Sequence, residues 1–275
     1  MARLRAPDWS IYAGAVLLLA ILADSGQERA DAPAAPPAVK EPVTAIASGS
    51  SLRPSAMTPV QSPAREPTSG TAFSISDSGV WLTARHVVSG CHRAAVMVAD
   101  GRGVAARVSA DKDSDVAVLT TEGGAPPLPL AQGLILTDGQ RAFHPGFPQG
   151  SPGETTTRLL GRYVLRDQVR GARPQPVLAW AEVGRTDGLK GSLAGLSGAP
   201  VLDQAGRVIG VTLAESPRRG RIYSAPPEAI AAALARAGRK PGGFAEGLSI
   251  TTENYGRAAD ALRRDLRVAQ VVCLG

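Results

Sequence analysis

Cysteine is almost absent from this 275-residue chain: Cys91 and Cys273 are the only two. Two thiols so far apart do not make a zinc site, which draws its ligands from closely spaced pairs, and they exclude a disulfide-dense scaffold. Lysine is scarce too. Of 30 basic residues only Lys40, Lys112, Lys190 and Lys240 are lysines. The arginines that carry the formal charge of +6 are scattered, and aromatics are 4% of the chain. Without a dense basic block or interleaved aromatics, nucleic-acid binding is not expected, and the charge reads as solvated arginine. Histidine occurs three times, as His86, His92 and His144. Long apolar runs are missing: the conspicuous one, "WSIYAGAVLLLAILA" at 9–23, is shorter than the roughly 20 residues a spanning helix usually takes.

What is present divides the chain into four parts. Residues 1–24 pair a basic flank, "MARLR", with that apolar run, and Asp24 ends it. This is the pattern of an uncleaved N-terminal membrane helix or, with Ala30-Asp31-Ala32 as a distant cleavage site, of a signal peptide. Either reading exports the remainder, because the positive flank stays inside. Residues 25–68 are rich in Ala, Pro and Ser, lack periodicity, and read as a disordered tether. From Ser69 to Lys240 the texture is that of a folded domain. Short Val-, Ile-, Leu- and Thr-rich runs ("TAFSISD", "VWLTA", "AAVMVA", "GVAARVSA", "DVAVLT", "TTTRLLGRYVLR", "PVLAWAE", "RVIGVTLAE", "RIYSA") alternate with Gly, Asp and Ser. Many short strands at regular spacing predict an all-β barrel or sandwich. Two helices are expected, at 226–238 and 256–267, the first opened by prolines. The extension 241–275 closes with "VAQVVCLG", one more strand. Trp81 and Trp180 read as core aromatics.

Ser197 stands in "GLSGAPVLDQAGRVIGV" (195–211), between two glycines and ahead of a strand. Alone, such a tetrad is weak. All three histidines precede it, which excludes the α/β-hydrolase order, and the tetrad is not G-x-S-x-G. The aspartates ahead of His86 (Asp8, Asp24, Asp31, Asp77) sit in no convincing motif, which removes the subtilisin order. There remains histidine, then aspartate, then serine. "WLTARHVVSGC" (81–91) supplies His86, and "DKDSDVAVL" (111–119) supplies Asp115 directly before an apolar strand. Asp113, two residues away, is the runner-up acid, and Asp111 stands behind it. His92 reads as a surface residue, His144 as a packing residue, and Ser192 lacks the context of a nucleophile.

"TARHVV", "DSDVAVL" and "GLSGAPVLDQAGRVIGV" resemble the T-x-x-H-V, D-x-D-x-A-x-L and G-x-S-G-x-P motifs of trypsin-like serine peptidases, above all their bacterial HtrA/Deg branch. The likeness spans residues 69 to about 235. It implies a chymotrypsin-like fold: two packed six-stranded β-barrels with a C-terminal helix. It also implies His86 as general base, Asp115 as orienting acid, Ser197 as nucleophile, and the Gly195 and Ser197 amides as the oxyanion hole. The substrate pocket would be lined by Gly191, Thr212, Leu213 and Ala214 and would take a small or medium apolar P1 side chain. Glu215 and Asp187 keep a basic preference open. Ala199 and Arg85 depart from the usual motif, and 241–275 is too short for a PDZ domain.

The expected function is an exported serine endopeptidase on polypeptides, at a bacterial inner membrane and facing the periplasm, with no metal and no cofactor. A catalytically silent binding module on the same fold is the alternative; an esterase-like acyl hydrolase is a weaker third. Two cysteines in an exported chain are an even number in an oxidising compartment, so Cys91 and Cys273 are expected to pair and tie down the last strand.

Overall fold

The computed structural model describes residues 69–99, 101–165, 174–242 and 247–274. The expected anchor at 1–24 and tether at 25–68 lie outside the described residues. Among the described residues no helix is long and apolar enough to cross a membrane.

Twelve strands close into two six-stranded barrels. The first takes β1 (Ser69–Ser76), β2 (Val80–Ala84), β3 (Arg93–Ala99), β4 (Arg102–Ala110) and β5 (Val116–Thr120). The second takes β6 (Arg141–Gly146), β7 (Gly153–Leu165), β8 (Gln175–Arg185), β9 (Pro200–Leu202), β10 (Val208–Ser216) and β11 (Arg221–Ala225). Among the described residues three α-helices accompany them: α1 (Arg85–Val88), α2 (Pro227–Arg236) and α3 (Tyr255–Arg264). The last strand, β12 (Val268–Leu274), returns to the first barrel and inserts between β1 and β3. Its register runs from Phe73↔Val268 to Ser69↔Val272 on one side and from Val96↔Val271 to Arg93↔Leu274 on the other. The extension thus contributes a stave of the barrel wall as well as a helix packed outside it.

Closure removes every strand edge, the feature an open sheet must otherwise protect. Each barrel is filled by inward-facing apolar side chains. In the first, the buried side chains lie on both faces of the wall, Phe73, Leu82 and Val118 on one and Trp81 and Leu119 on the other; Leu159, Leu178, Trp180, Ile209 and Ile222 form the core of the second. Both tryptophans are fully buried, as expected, and both satisfy their indole N–H. Trp81 donates to the Thr121 hydroxyl at 3.0 Å and Trp180 to the Ser224 hydroxyl at 2.8 Å. A buried indole left unpaired would cost roughly 1–3 kcal/mol.

Cys91 and Cys273 form a disulfide with their Cα atoms 5.3 Å apart. It joins the turn after α1 to the penultimate residue of β12. The C-terminal helix is tied down differently. The Arg263 guanidinium, 7% exposed, donates to the Gly146 and Gly153 carbonyls and pairs with Glu154 and Asp260. Burial pushes the Glu154 carboxyl up, and Arg263 opposes that shift.

Candidate active site

The site is assembled at the junction of the barrels. β2 ends at Ala84, and α1 opens there, so that His86 projects from a single helical turn. Asp115 immediately precedes β5, which pairs with β2, and the Val116↔Ala84 register brings the aspartate beside the histidine. The contact is double. The Asp115 Oδ2 accepts from His86 Nδ1 at 2.8 Å, and its Oδ1 accepts from the His86 backbone N–H at 3.0 Å. A carboxylate accepts only, so the proton sits on Nδ1 and Nε2 presents its lone pair.

Asp115 is 8% exposed and held from three further directions. Its backbone N–H donates to Gln175 Oε1 at 3.1 Å, from the second barrel. Its backbone carbonyl accepts from Arg85 N–H at 2.9 Å, and the Arg85 guanidinium lies 3.9 Å from Oδ1 while bonding the Ser114 carbonyl. Arg85, which departs from the family motif, therefore braces the carboxylate. Asp113 is exposed on the preceding turn, and Asp111 pairs with Arg236 at 3.0 Å. Of the three aspartates, Asp115 is the one brought to His86.

Ser197 comes from the second barrel. Its backbone carbonyl accepts from Thr71 N–H at 2.8 Å, and the Thr71 hydroxyl donates to the Gly195 carbonyl at 2.8 Å. β1 thus clasps the serine loop across the barrel interface. Gly198 is required there: its φ is +89°, and a Cβ would fall 2.0 Å from the Thr71 carbonyl oxygen and 2.9 Å from Ala84 N, two residues ahead of His86. The Ser197 hydroxyl donates to the Leu213 carbonyl at 3.3 Å. Ala199 is fully buried in the second core, so its methyl fills space where the family motif has glycine.

The turn before the serine presents two amides. Leu196 N–H donates to the Leu193 carbonyl at 2.9 Å, and Gly195 has φ +97°, the third residue of a type II turn. Among the described residues the Gly195 and Ser197 N–H groups have no hydrogen-bond partner. The Ala194 carbonyl accepts from Gln149 N–H. In a trans peptide the C=O and N–H point oppositely, so the Gly195 N–H faces away from Gln149.

A small cavity beside Ser197 is lined by Leu193, Ala194, Leu196, Thr212, Ala214, Glu215 and Ile222. Of the expected pocket residues, Thr212 and Ala214 line it. Gly191 is exposed on the loop, and Leu213 is buried in the core, reaching the site only through its carbonyl. Glu215 was expected only as a neighbour; its carboxylate accepts from the Ser192 hydroxyl and from Leu193 N–H, which places it at the rim. Beneath Thr212, His144 is fully buried between the Thr212 and Thr157 hydroxyls at 2.9 Å each. Burial lowers its pKa to about 3, and its role is packing. His92 is exposed. Among the described residues no cluster of His, Cys, Asp and Glu could hold a metal ion.

Paired closed six-stranded barrels, one carrying a histidine–aspartate hydrogen bond and the other a serine in a glycine-bearing turn, are the architecture of trypsin-like peptidases. The trypsin-like peptidase domain family matches residues 70–211, just over half of the chain, and the chain belongs to that family. The chain is similar to the Synechocystis protein HhoA, named for a serine protease, with 32% identity over 152 residues, 53% of this chain and 36% of the relative. It is equally similar, at 32% over 152 residues, to the chloroplastic Protease Do-like 1 of Arabidopsis thaliana, covering 53% of this chain and 33% of that protein. The chain therefore spans about a third of the length of these curated relatives. Among solved structures it resembles the Rv3671c protease of M. tuberculosis. The active form matches with TM-score 0.52 and 24% identity, over 66% of this chain and 78% of that one. The inactive form matches with TM-score 0.51 and 25% identity, over 62% and 84%.

Proposed function

We propose that this protein is a serine endopeptidase acting through His86, Asp115 and Ser197, with the Gly195 and Ser197 amides as its oxyanion hole. The observation that carries this reading is the Asp115–His86 pair set beside a serine turn whose two amides are both free. A serine hydroxyl is a poor nucleophile at neutral pH and needs a base to take its proton. The Asp115 carboxylate selects the His86 tautomer whose Nε2 is that base and stabilises the imidazolium that forms. Rotation of the Ser197 hydroxyl from the Leu213 carbonyl to His86 Nε2 readies it for attack. The acyl-enzyme then forms as His86 passes the proton to the leaving amine, and water hydrolyses it. The cavity at Thr212, Ala214, Leu196 and Ile222 suits a small apolar P1 side chain, with Glu215 disfavouring an acidic one.

The polypeptide substrate class follows from the family. The basic flank and apolar run at 1–24, together with the Cys91–Cys273 disulfide, support export to an oxidising compartment, with the N-terminus as membrane tether. A second reading, a silent binding module, is favoured by the Ser197 hydroxyl bonding Leu213 rather than His86. Labelling with a fluorophosphonate separates the two. The peptidase reading expects covalent labelling of Ser197, cleavage after small apolar residues, and a loss of about 10⁴–10⁶ in rate for Ser197→Ala. Failure of the wild-type protein to label or to cleave a diverse peptide library would leave the silent module.

A further inference from the structure

The turn that aims the Gly195 amide is held from outside by one exposed side chain. Gln149 lies in the short 3-10 turn Pro148–Gly150, between β6 and β7. Its backbone N–H donates to the Ala194 carbonyl. Its side-chain amide donates both hydrogens to the serine loop, to the Lys190 carbonyl at 2.7 Å and the Ser192 carbonyl at 2.8 Å. Three carbonyls of the 190–194 segment are thus fixed by a single residue. Packing seats the two turns against each other: a Cβ on Gly195 would fall 2.4 Å from the Phe147 carbonyl oxygen and 3.2 Å from Gln149 N.

The backbone of Gln149 makes the arrangement pointed. Its φ and ψ are 55° and 26°, the left-handed region. A non-glycine residue there is strained by roughly 1–2 kcal/mol, and glycine is the relaxed choice. The side chain persists where its absence would relieve the backbone, and its two amide hydrogens are both spent on the serine loop. The 148–150 turn is itself anchored at both ends, because Arg263 of α3 donates to the Gly146 and Gly153 carbonyls. Hydrogen bonds thus tie this turn to the C-terminal helix on one side and to the Ala194 carbonyl of the Ala194–Gly195 peptide on the other.

We propose that Gln149 is a positioning residue: it holds the Ala194–Gly195 peptide with its carbonyl outward and its N–H toward the cleft, and so keeps the oxyanion hole formed. This rests on the peptidase reading above. Without the amide fork the peptide plane can turn over, which withdraws one of the two oxyanion donors. Substrate side chains would still bind in the pocket, so the deficit falls on the chemical step and not on affinity.

The test uses Gln149→Gly, which relaxes the backbone and removes the fork, and Gln149→Met, which keeps the bulk without the donors. Outright loss of an oxyanion donor costs about 10²–10³ in kcat, and a loosened donor a part of this, about tenfold. Both variants are expected to lose kcat by about that factor with KM within about twofold, and to bind a peptide boronate about tenfold more weakly. Gln149→Gly should melt no lower than wild type, which separates positioning from structural support. Unchanged kcat and boronate affinity in both variants would overturn the proposal, as would a kcat loss that only tracks a fall in melting temperature. A wild-type protein that neither cleaves nor labels overturns the peptidase reading and takes this proposal with it.

Discussion

The two barrels have the same order of neighbours but obtain their strands differently. In the second barrel β6 to β11 follow one another along the chain. Matching β6–β11 in turn with β12, β1, β2, β3, β4 and β5 reproduces every adjacency of the first barrel. The buried tryptophans obey the same correspondence: Trp81 in β2 bonds a hydroxyl just past β5, and Trp180 in β8 bonds a hydroxyl in β11. The difference is in the leading strand. The second barrel opens with its own, β6, whereas the first borrows β12 from the far end of the chain. Closing the first barrel therefore brings together segments from the two ends of the domain, and the entropy of that long closure is unfavourable. The disulfide lies on the borrowed strand, its cysteines at a sequence separation of 182, where a cross-link restrains the unfolded chain most. The barrel that depends on the borrowed strand also carries His86 and Asp115, while the self-contained one carries Ser197 and both amides.

The strongest way to break the comparison is to remove β12. Deleting residues 268–275 leaves β1 and β3 with unpaired edges, and loss of cooperative folding of the first barrel is expected. Circular dichroism and a thermal melt check this. A truncated chain that unfolds cooperatively near the wild-type temperature would show that the sixth stave is dispensable. Moving 247–274 ahead of Ser69 would give both barrels consecutive strands, and that permuted chain should fold.

A smaller effect is expected from the cross-link alone. Cys273→Ser keeps the strand and frees the chain, and by the loop-closure estimate stability falls by roughly 3–5 kcal/mol, read as a shift of the denaturation midpoint. A shift below about 1 kcal/mol would place the anchoring of β12 in its ladder and in Arg263 instead.

The smallest effect concerns the second barrel and pH. His144 is neutral when folded, with a pKa lowered from 6.5 to about 3 by burial. The unfolded chain binds the proton first as pH falls, so this residue's contribution to stability is complete above pH 6.5 and is lost progressively toward pH 3. The slope reaches at most about 1.4 kcal/mol per pH unit. Denaturation midpoints measured from pH 7 to 4 should fall with acid, and His144→Gln should flatten the profile. An unchanged slope would assign the acid sensitivity to other groups.

Most strands were legible because their apolar runs alternate or bury both faces: β2 and β11 coincide with "VWLTA" and "RIYSA". β6 and β9 are not among those runs: β6 contains Pro145 and Gly146, which interrupt the apolar pattern, and β9, just after Ser197, is only three residues long. Leu266, inside the helix expected at 256–267, instead lies beyond the end of α3 at φ +57°. Within the site, His86, Asp115, Ser197 and Gly195 carry local motifs. The residues that support them do not. Thr71, Gln149 and Gln175 act through backbone groups far away in sequence, and such contacts impose no spacing. Arg85 looked like an anomaly in its motif, and only the position of Asp115 explains it.

The sequence by itself determined the strand-rich fold, the order of His86, Asp115 and Ser197 and the glycines on either side of the serine, since each depends on residue type and on neighbours a few positions away. It also placed a strand at the C-terminus and paired its cysteine. That this strand is a stave of the first barrel was decided only by the tertiary structure. Strand partnership is a matter of register and closure between distant segments, and any apolar strand of suitable length satisfies it equally well until the rest of the barrel leaves a single gap. The same holds for the pocket: Glu215 reaches the rim because its partners Ser192 and Leu193 approach from another loop, an arrangement that exists only once β10 and the serine turn are packed together.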